Sequence, residues 1–531
     1  MLQKIVSLFL LVAFLLAACS PAATPEPTTA AIEAPNATEA PEATEAPSAT
    51  PEPACTNPVA LDLYMVGSGD TPARADVEAE LNAYIEPLIC ANVTFNIVGW
   101  GDWFPKAITG IQAGEKMDIF FTADWWQYNE LVAQGLLLPL NDDKGPNGNL
   151  LALYGQGILE NINPAFISGT QVKGVNYAVP TNKELAIPEG FIYNAGFAEE
   201  IGFTAADAAK IRTMRDFEPW LEKAKAARPD EYPYLLNSKP GFYPWQSGFA
   251  GGVPYDILTM SGIPDANGKF DETIVNVIES EWYKEYVMVI REWQQKGWVH
   301  PEAALAGYEA DPIQNAGKFL FVVQPLKGNG IKAQELVNSS GNPDLRLAEI
   351  EWAPKVVATI NTGGSMLAIP ALSEHPVEAM KFINLLHTDP KVVNMALFGV
   401  EGKHWALEAD GRVNIIDNAW YSAHPGAWVW GNTQIQYVTN KEDPNKARLL
   451  IEYSNDAYSH PSLGFRFDKT PVQAEITAVE AVLGTYYMPL LYGYIDPATE
   501  LPKFIDELKA AGIDKVKEEV QRQYDAWKAS K

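Results

Sequence analysis

The order of the first apolar segments after residue 58 constrains the fold of this chain more than any other feature. The apolar segment Val59–Val66 is followed by a helical pattern over Arg74–Ile89 and then by a second apolar segment, Val93–Val98. A strand, a helix and a strand in this order favour a parallel sheet with a right-handed crossover. We therefore expect an α/β protein whose body begins with a β–α–β unit.

Later segments continue the α/β pattern. A helix near Trp103–Ala113 leads to a strand at Met117–Thr122, and a helix is expected over 126–134. Ser373 is predicted to cap a helix that runs to His387. Short strands are predicted at Tyr177–Pro180, Phe191–Asn194, Gly317–Gln324 and Ser365–Pro370.

Chain length and charge limit the possible architectures and partners. Residues 55–531 are too many for one ordinary domain, so two lobes are expected. Hydrophobic residues make up 47% of the chain, which is enough to build cores. The net charge of -28 argues against binding to nucleic acid or lying flat on an anionic membrane.

The amino terminus has the pattern of a secretory signal. Lys4 precedes the apolar run Ile5–Leu16, which is shorter than the ~20 residues that a bilayer span needs. The sequence Leu16-Ala17-Ala18-Cys19 resembles the lipobox of bacterial lipoproteins. That resemblance implies that residues 1–18 are a signal peptide and that Cys19 carries a diacylglyceryl anchor on the extracellular face of the cytoplasmic membrane. The alternative is an ordinary signal peptide in which Cys19 has no role.

Residues 19–54 are predicted to be the lipidated cysteine and a disordered stalk. After Cys19 the segment consists mainly of Ala, Pro, Thr and Glu, with six glutamates and no lysine or arginine. Such a composition cannot bury enough apolar surface to offset chain entropy. Proline and like charges extend it, so it would lift the body away from the membrane.

Cys55 and Cys90 are the two cysteines of the body. Cys55 lies just before the first predicted strand, and Cys90 lies just before the second. If these strands are parallel neighbours, both cysteines fall at the same end of the sheet. An extracellular location permits a disulfide between them. The alternative is two unpaired, buried thiols.

Several motifs, in order, resemble extracellular solute-binding proteins of ABC importers, the maltose-binding-like family 1. The stretch Met117–Leu140 resembles the signature of their amino-terminal lobe. The motifs that follow are Tyr177–Pro180 with Tyr193-Asn194, Gly317–Phe321, and Pro376–Phe382 with Thr388-Asp389-Pro390. The resemblance covers most of residues 57–530 and implies a ligand-binding protein rather than an enzyme.

The carboxy-terminal third resembles the uncharacterised carboxy-terminal domain of LipO-like lipoproteins. The motifs that carry this resemblance are Gly399–Trp405, Gly431–Gln434, Leu463–Asp468 and Leu501–Lys515. Together the resemblances imply the two-lobed, type II periplasmic-binding-protein fold, with a hinge and an interlobe cleft. We assign 55–182 and 323–405 to the first lobe, and 183–322 and 406–531, with the carboxy-terminal helices, to the second.

The resemblance also implies partners and a function. The protein would capture an oligosaccharide or sugar derivative in the cleft and present it to the membrane-spanning permease of an ABC importer. We expect a monomer without a metal or a cofactor. Two alternatives stay open at this point: a glycosidase-like enzyme, which needs two facing carboxylates, and a peptide-binding or adhesive lipoprotein.

Tryptophans at predicted turns are the first candidates for ligand contacts. Trp100 and Trp103 follow the strand that ends at Val98, and Trp125 follows the strand that ends at Thr122. Ligands of open α/β sheets lie beyond the carboxyl ends of strands, and a flat aromatic face suits a sugar ring. The alternative for each is packing in a core. Further candidates in turns are Trp245, Trp405, Trp428 and Trp430.

Polar candidates accompany the tryptophans. Asp124 lies in the turn before Trp125, and its alternative role is a helix N-cap. Lys183 and Glu184 lie where the resemblance implies a ligand-binding carboxylate, and their alternative is an exposed salt bridge. The remaining candidates are Gln324, Asn432 and Arg466.

Overall fold

The structure is a computed structural model that describes residues 55–236, 257–303, 308 and 310–531. The predicted signal peptide, Cys19, the stalk and Trp245 lie outside the described residues. The strands are β1 (Val59–Gly67), β2 (Ala91–Gly99), β3 (Ile119–Thr122), β4 (Ala178–Pro180), β5 (Gly190–Asn194), β6 (Tyr234–Leu235), β7 (Leu258–Thr259), β8 (Val275–Asn276), β9 (Phe321–Val323), β10 (Leu347–Glu351), β11 (Val356–Val357), β12 (Met366–Ala368), β13 (Trp405–Leu407), β14 (Val413–Ile415) and β15 (Tyr458–Ser459).

Helices occupy most of the chain between the strands. They are α1 (Arg74–Ile89), α2 (Trp100–Ala113), α3 (Tyr128–Ala133), α4 (Leu150–Tyr154), α5 (Gln156–Asn161), α6 (Pro164–Gly169), α7 (Ala195–Ile201), α8 (Ala205–Ala208), α9 (Glu218–Ala227), α10 (Glu281–Gln295), α11 (Asp311–Asn315), α12 (Ile331–Ser340), α13 (Thr359–Thr362), α14 (Pro376–Thr388), α15 (Pro390–Phe398), α16 (Lys446–Ser454), α17 (Gln473–Leu491), α18 (Pro497–Ala510) and α19 (Ile513–Ala529). Within the described part of the chain, no helix has the length and apolar character needed to cross a membrane.

The first lobe is built on a five-stranded sheet in the order β2-β1-β3-β12-β4. β1 pairs in parallel with both β2 and β3, which confirms the predicted β–α–β unit. β12 runs antiparallel to β3 and β4, so the carboxyl ends of β1, β2, β3 and β4 meet at one edge. Alternating residues of β1 and β2, such as Leu61, Leu63 and Phe95, are buried in the core of this lobe.

The second lobe has its own sheet and its own core. Its strand order is β10-β5-β9-β6, with β5 antiparallel to both β9 and β10. Phe191 and Phe321 of this sheet share a hydrophobic core with Trp293 of α10. Buried residues of α17, α18 and α19 join the same core, so the carboxy-terminal helices belong to this lobe.

Among the described residues, three chain crossings connect the lobes and meet in a small core of their own. Ala186, Val357 and Tyr453 form this core, one residue from each crossing. The crossings are also tied by hydrogen bonds: the amides of Leu185 and Ala186 donate to Ser454 Oγ at 3.3 and 3.1 Å. β11 pairs in parallel with β15 at the same place. The predicted α/β, two-lobed type II fold with a hinge is therefore confirmed.

Two segments pack differently from the predicted lobe boundaries. β10 lies in 323–405, the segment assigned to the first lobe, but it pairs with β5 in the second sheet. Trp420 and Trp430 lie in 406–531, the segment assigned to the second lobe, but they pack in the core of the first. The second and third crossings therefore lie later in the chain than predicted, at Val357 and Tyr453, because the chain first completes the sheet or core that it is in. Local patterns do not reveal this. The lobe boundaries themselves remain a prediction.

The predicted disulfide between Cys55 and Cys90 is confirmed, with a Cα–Cα distance of 5.2 Å. Cys90 ends α1 in the left-handed conformation, with φ 54°. Its carbonyl accepts a hydrogen bond from the amide of Val59 at 3.0 Å. The disulfide thus fixes the start of β1 against the turn that leads into β2.

Candidate functional site

Three tryptophan rings lie side by side at the carboxyl edge of the first sheet. Trp100 begins α2 directly after β2, Trp125 follows β3, and Trp428 comes from a turn much later in the chain. The ring centroids of Trp100 and Trp125 are 6.3 Å apart, and those of Trp125 and Trp428 are 6.4 Å apart. Trp125 is 41% exposed and the other two are half-buried. We call Trp100, Trp125 and Trp428 the tryptophan platform.

The platform is held in place by contacts with Phe121 and by hydrogen bonds from two indole N–H groups. Phe121 of β3 lies 6.1 Å from Trp125 and 6.0 Å from Trp428, measured between ring centroids. Trp125 Nε1 donates to the carbonyl of Gly364 at 2.7 Å, and Trp428 Nε1 donates to the carbonyl of Pro425 at 2.9 Å. Because these two N–H groups are satisfied within the protein, the rings of Trp125 and Trp428 can offer a partner their apolar faces.

Lys183 and Glu184 follow β4 at the same edge and form an ion pair. Lys183 Nζ donates to Glu184 Oε1 at 3.0 Å, and both side chains are 5% exposed. The pair is therefore buried, unlike the exposed salt bridge that the sequence left open. Lys183 also lies beside the platform, because a Cβ added at Gly364 would be 3.7 Å from its Nζ.

The charge of Glu184 is stabilised by two lysines. Burial disfavours the carboxylate, but Lys183 and Lys327 outweigh it and lower the pKa of Glu184. Lys327 Nζ is 3.7 Å from Glu184 Oε2, and this oxygen accepts no hydrogen bond. Glu184 is thus a buried, ionised carboxylate whose two oxygens face Lys183 and Lys327.

Asp124 and Arg466 pair with each other rather than lining the surface. Arg466 Nη1 and Nη2 donate to the two carboxylate oxygens of Asp124 at 2.6 and 3.0 Å. The side chain of Asp124 is 0% exposed and that of Arg466 is 7% exposed. Burial raises the pKa of Asp124, and the guanidinium of Arg466 opposes that rise. The alternative role of Asp124 as an N-cap is wrong, because α3 begins at Tyr128 and its N-cap is Gln127.

Three of the candidate tryptophans lie in the core of the first lobe. Trp103 and Trp430 are 0% exposed, and Trp405 is 4% exposed. Trp103 packs against Phe120 at 5.3 Å, and Trp405 Nε1 donates to the carbonyl of Gly399 at 2.9 Å. Trp430 packs against Phe95 of β2, and Trp405 packs against Phe398 of α15. In this structure they offer no face to a ligand, which corrects the expectation that they line the cleft.

Gln324 and Asn432 are buried in hydrogen bonds with other protein groups. Gln324 Nε2 donates to Gln314 Oε1 inside the second lobe. Asn432 Oδ1 accepts from Asn182 Nδ2 at 2.9 Å, and its own Nδ2 donates to the carbonyl of His387 at 3.2 Å. Asn432 therefore ties the first crossing to the first lobe. Both side-chain amides of these residues are thus engaged with protein partners.

A buried group of charged residues near the hinge was not predicted. Lys446 Nζ lies 2.8 Å from Glu335 Oε1 and 2.6 Å from Glu442 Oε1, and Lys327 Nζ lies 3.0 Å from Glu335. With Glu184 these residues line a small cavity. Only the Glu442–Lys446 spacing of four residues was visible in the sequence; the other partners come from distant segments.

The tryptophan platform and the ion pair beside it suit a polar, uncharged partner that stacks on the rings and forms hydrogen bonds. Among the residues that the structure describes, no group of three His, Cys, Asp or Glu side chains is placed to hold a metal ion. The acid closest in sequence to the platform, Asp124, is fully paired. The platform thus offers apolar ring faces beside the buried ion pair of Lys183 and Glu184.

Two family models match the chain. The model described as bacterial extracellular solute-binding protein matches residues 90–391, and a domain of unknown function matches residues 461–529. The second match corresponds to the predicted uncharacterised carboxy-terminal domain.

Full-length relatives show the same similarity. A carbohydrate ABC transporter substrate-binding protein of Streptococcus pneumoniae is 27% identical over 485 residues, covering 89% of this chain and 91% of the relative. The N-glycan transport solute binding protein NgtS of S. pneumoniae, in complex with Man1GlcNAc, superposes with a TM-score of 0.76 at 22% identity, covering 88% of this chain and 99% of that chain. Its complex with Man5GlcNAc gives a TM-score of 0.73 at 23% identity, covering 89% and 99%.

Proposed function

This chain belongs to the family of bacterial extracellular solute-binding proteins, and we propose that it captures an oligosaccharide for an ABC importer. Members of this family are solute-binding proteins rather than enzymes, so the glycosidase alternative is set aside. In the proposal, the sugar chain binds at the tryptophan platform and the loaded protein presents it to the permease subunits in the membrane.

The platform is the observation that carries this proposal. Sugar rings have an apolar face of C–H groups and a rim of hydroxyls, so they stack on aromatic faces and hydrogen-bond at their edges. Trp100, Trp125 and Trp428 form a row of neighbouring aromatic rings, whose centroids are 6.3 and 6.4 Å apart. The amine of Lys183, which is held by its ion pair with Glu184, is the proposed partner for hydroxyls at the side of the platform.

The relatives support the same ligand class. The names of those relatives describe carbohydrate transport and complexes with mannose- and N-acetylglucosamine-containing glycans. We extend to this chain the general class, an oligosaccharide, and use Man5GlcNAc as the first probe. The sequence expectation of a monomer stays a prediction.

A binding measurement on platform variants tests the proposal. Titration calorimetry of the purified mature chain with Man5GlcNAc is expected to show binding, and Trp125→Ala and Trp428→Ala should each weaken it by roughly thirtyfold, the effect of removing a central tryptophan contact. Trp220→Ala is the matched control, since this half-buried ring packs on Phe203 in the second lobe. Unchanged affinity in both platform variants would remove the platform from the site. A broader glycan panel, read as thermal shifts, covers the case of a different oligosaccharide.

We further propose that Cys19 anchors the protein to the outer face of the membrane. The support is the lipobox-like sequence that ends in this cysteine. Cys19→Ala should move the protein from the membrane fraction of the cells to the medium, because a diacyl anchor holds stably whereas a soluble body does not. If the variant stays in the membrane fraction, the anchor lies elsewhere.

A further inference from the structure

A segment of the carboxy-terminal third reaches from the second lobe to the first. Phe465 and Phe467 are buried in the core of the second lobe, at 2% and 5% exposure. Arg466, between them, extends to Asp124 in the first lobe. The backbone of this segment is therefore held by one lobe while its charged side chain is held by the other.

The first lobe provides a socket for both terminal nitrogens of Arg466. Besides the two oxygens of Asp124, Arg466 Nη1 donates to Asn129 Oδ1 at 3.1 Å and Nη2 donates to the carbonyl of Gly169 at 2.7 Å. The guanidinium also lies 5.3 Å from the centre of the Tyr128 ring. Paired, planar hydrogen bonding of this kind fixes both the distance and the angle between partners.

Two further ion pairs flank the socket. Lys469 pairs with Glu130, and Asp468 pairs with Lys173 at 3.2 Å. Each pair joins the segment 466–469 to the first lobe. These pairs are more exposed than Arg466–Asp124, so each contributes less to the contact between the lobes. They hold the segment 466–469 in the same position against the first lobe.

The socket and the tryptophan platform share one turn. Asp124 is followed directly by Trp125, and the amide of Asp124 donates to the carbonyl of Gly363 at 2.8 Å. Trp125 Nε1 donates to the next carbonyl, that of Gly364. The carboxylate of this turn is therefore held by the second lobe while the neighbouring ring stands in the platform.

We propose that Arg466 is a positioning residue for ligand binding, which couples the placement of the second lobe to the orientation of Trp125. This inference rests on the proposed function and gives the uncharacterised domain at 461–529 a role in it. With Arg466 in its socket, the turn at Asp124 is fixed and the platform is complete. If Arg466 leaves, Asp124 becomes a buried, unpaired carboxylate and the turn must rearrange. Ligand affinity then depends on the fraction of molecules in which the socket is filled.

Affinity measurements on arginine variants test the coupling. Arg466→Met should weaken binding of Man5GlcNAc by at least about tenfold, because the platform is complete in a smaller fraction of molecules. Arg346→Met is the matched control. Arg346 also forms two hydrogen bonds with one carboxylate, that of Glu199, but both residues lie on the exposed surface of the second lobe. The affinity of this variant for Man5GlcNAc should stay within about twofold of that of the unaltered chain.

An interlobe distance provides a readout that needs no ligand. Spin labels at Leu372, 70% exposed in the first lobe, and at Lys503, whose side chain is 58% exposed in the second, report the separation of the lobes. Arg466→Met should broaden the distance distribution, and Arg346→Met should not. A distribution that stays narrow in folded Arg466→Met would overturn the inference.

A charge exchange covers the case in which Arg466→Met does not fold. Lys469→Glu places like charges opposite Glu130 and should broaden the distribution, and the added change Glu130→Lys should narrow it again. Failure of the second change to restore the distribution would also contradict the coupling.

If Trp125→Ala weakens binding while Arg466→Met does not, only the coupling fails. If Trp125→Ala and Trp428→Ala have no effect, the proposed function fails at this site.

Discussion

His424 shows how one buried side chain makes stability depend on pH. It is 4% exposed, and its Nδ1 accepts a hydrogen bond from the amide of Gly426 at 3.1 Å. Its Nε2 lies 2.8 Å from the carbonyl of Leu397, which can only accept, so Nε2 carries the proton. The ring is thus neutral in the folded protein, and burial lowers its pKa to about 4.

Acid should therefore destabilise the fold through His424. Below about pH 6.5 the unfolded chain takes up a proton at this residue while the native chain does not, so His424 by itself lowers the free energy of unfolding by about 2 kcal/mol between pH 7 and pH 5. Urea denaturation at both pH values measures the total fall, to which buried His387 also contributes, and this fall should be about 2 kcal/mol smaller in His424→Gln. An equally large difference in the variant would mean that another group carries the pH dependence.

Single residues were predictable where local pattern decides their position. Trp100 and Trp125 were placed correctly after β2 and β3, because the carboxyl ends of the strands follow from the strand pattern. Whether a tryptophan is exposed depends on which distant segments of the chain pack over it. The apolar pattern of the sequence therefore did not show that Trp103 packs against Trp126. Asp124 and Arg466 are 342 residues apart, so their pairing could not be inferred from spacing.

At the scale of elements, long and regular patterns gave reliable predictions. The predicted strand Val59–Val66 and helix Arg74–Ile89 match β1 and α1 to within one residue. Predicted strands in short apolar runs were too long: residues 317–324 contain only Phe321–Val323 as strand. The turn before it is made by Gly317, whose φ of 68° ends the preceding element.

The start of α14 shows why helix boundaries were harder to predict. Ser373 was expected to cap this helix, but the helix begins at Pro376 with His375 as its N-cap. Ser373 Oγ accepts from the amide of His375 at 3.2 Å and donates to Asp118 Oδ1 at 2.7 Å. A long-range partner thus takes the hydroxyl that the local pattern assigned to the helix.

At the scale of the whole molecule, charged residues near the hinge connect parts of the chain that the two cores do not. Glu184 lies in the first crossing, Glu335 in α12 of the second lobe, and Lys446 in α16 of the third crossing. Lys327 bridges Glu184 and Glu335, and Lys446 bridges Glu335 and Glu442. The neighbouring carboxylates raise the pKa of Lys446 against the effect of burial. Lys446 therefore keeps its charge, which the buried carboxylates of Glu335 and Glu442 need as a counter-charge.

Removal of one lysine from this group should destabilise the entire body. Lys446→Met leaves Glu335 and Glu442 buried with fewer counter-charges, which should lower the free energy of unfolding by roughly 3 kcal/mol. The matched control is Lys503→Met, since Lys503 pairs with Glu500 on the surface of α18 and such pairs contribute about 1 kcal/mol or less. Urea denaturation of both variants measures the difference. Equal, small losses would mean that the hinge charges are solvated in solution and do not hold the lobes together, whereas a large loss for Lys446→Met alone would establish them as a structural part of the hinge.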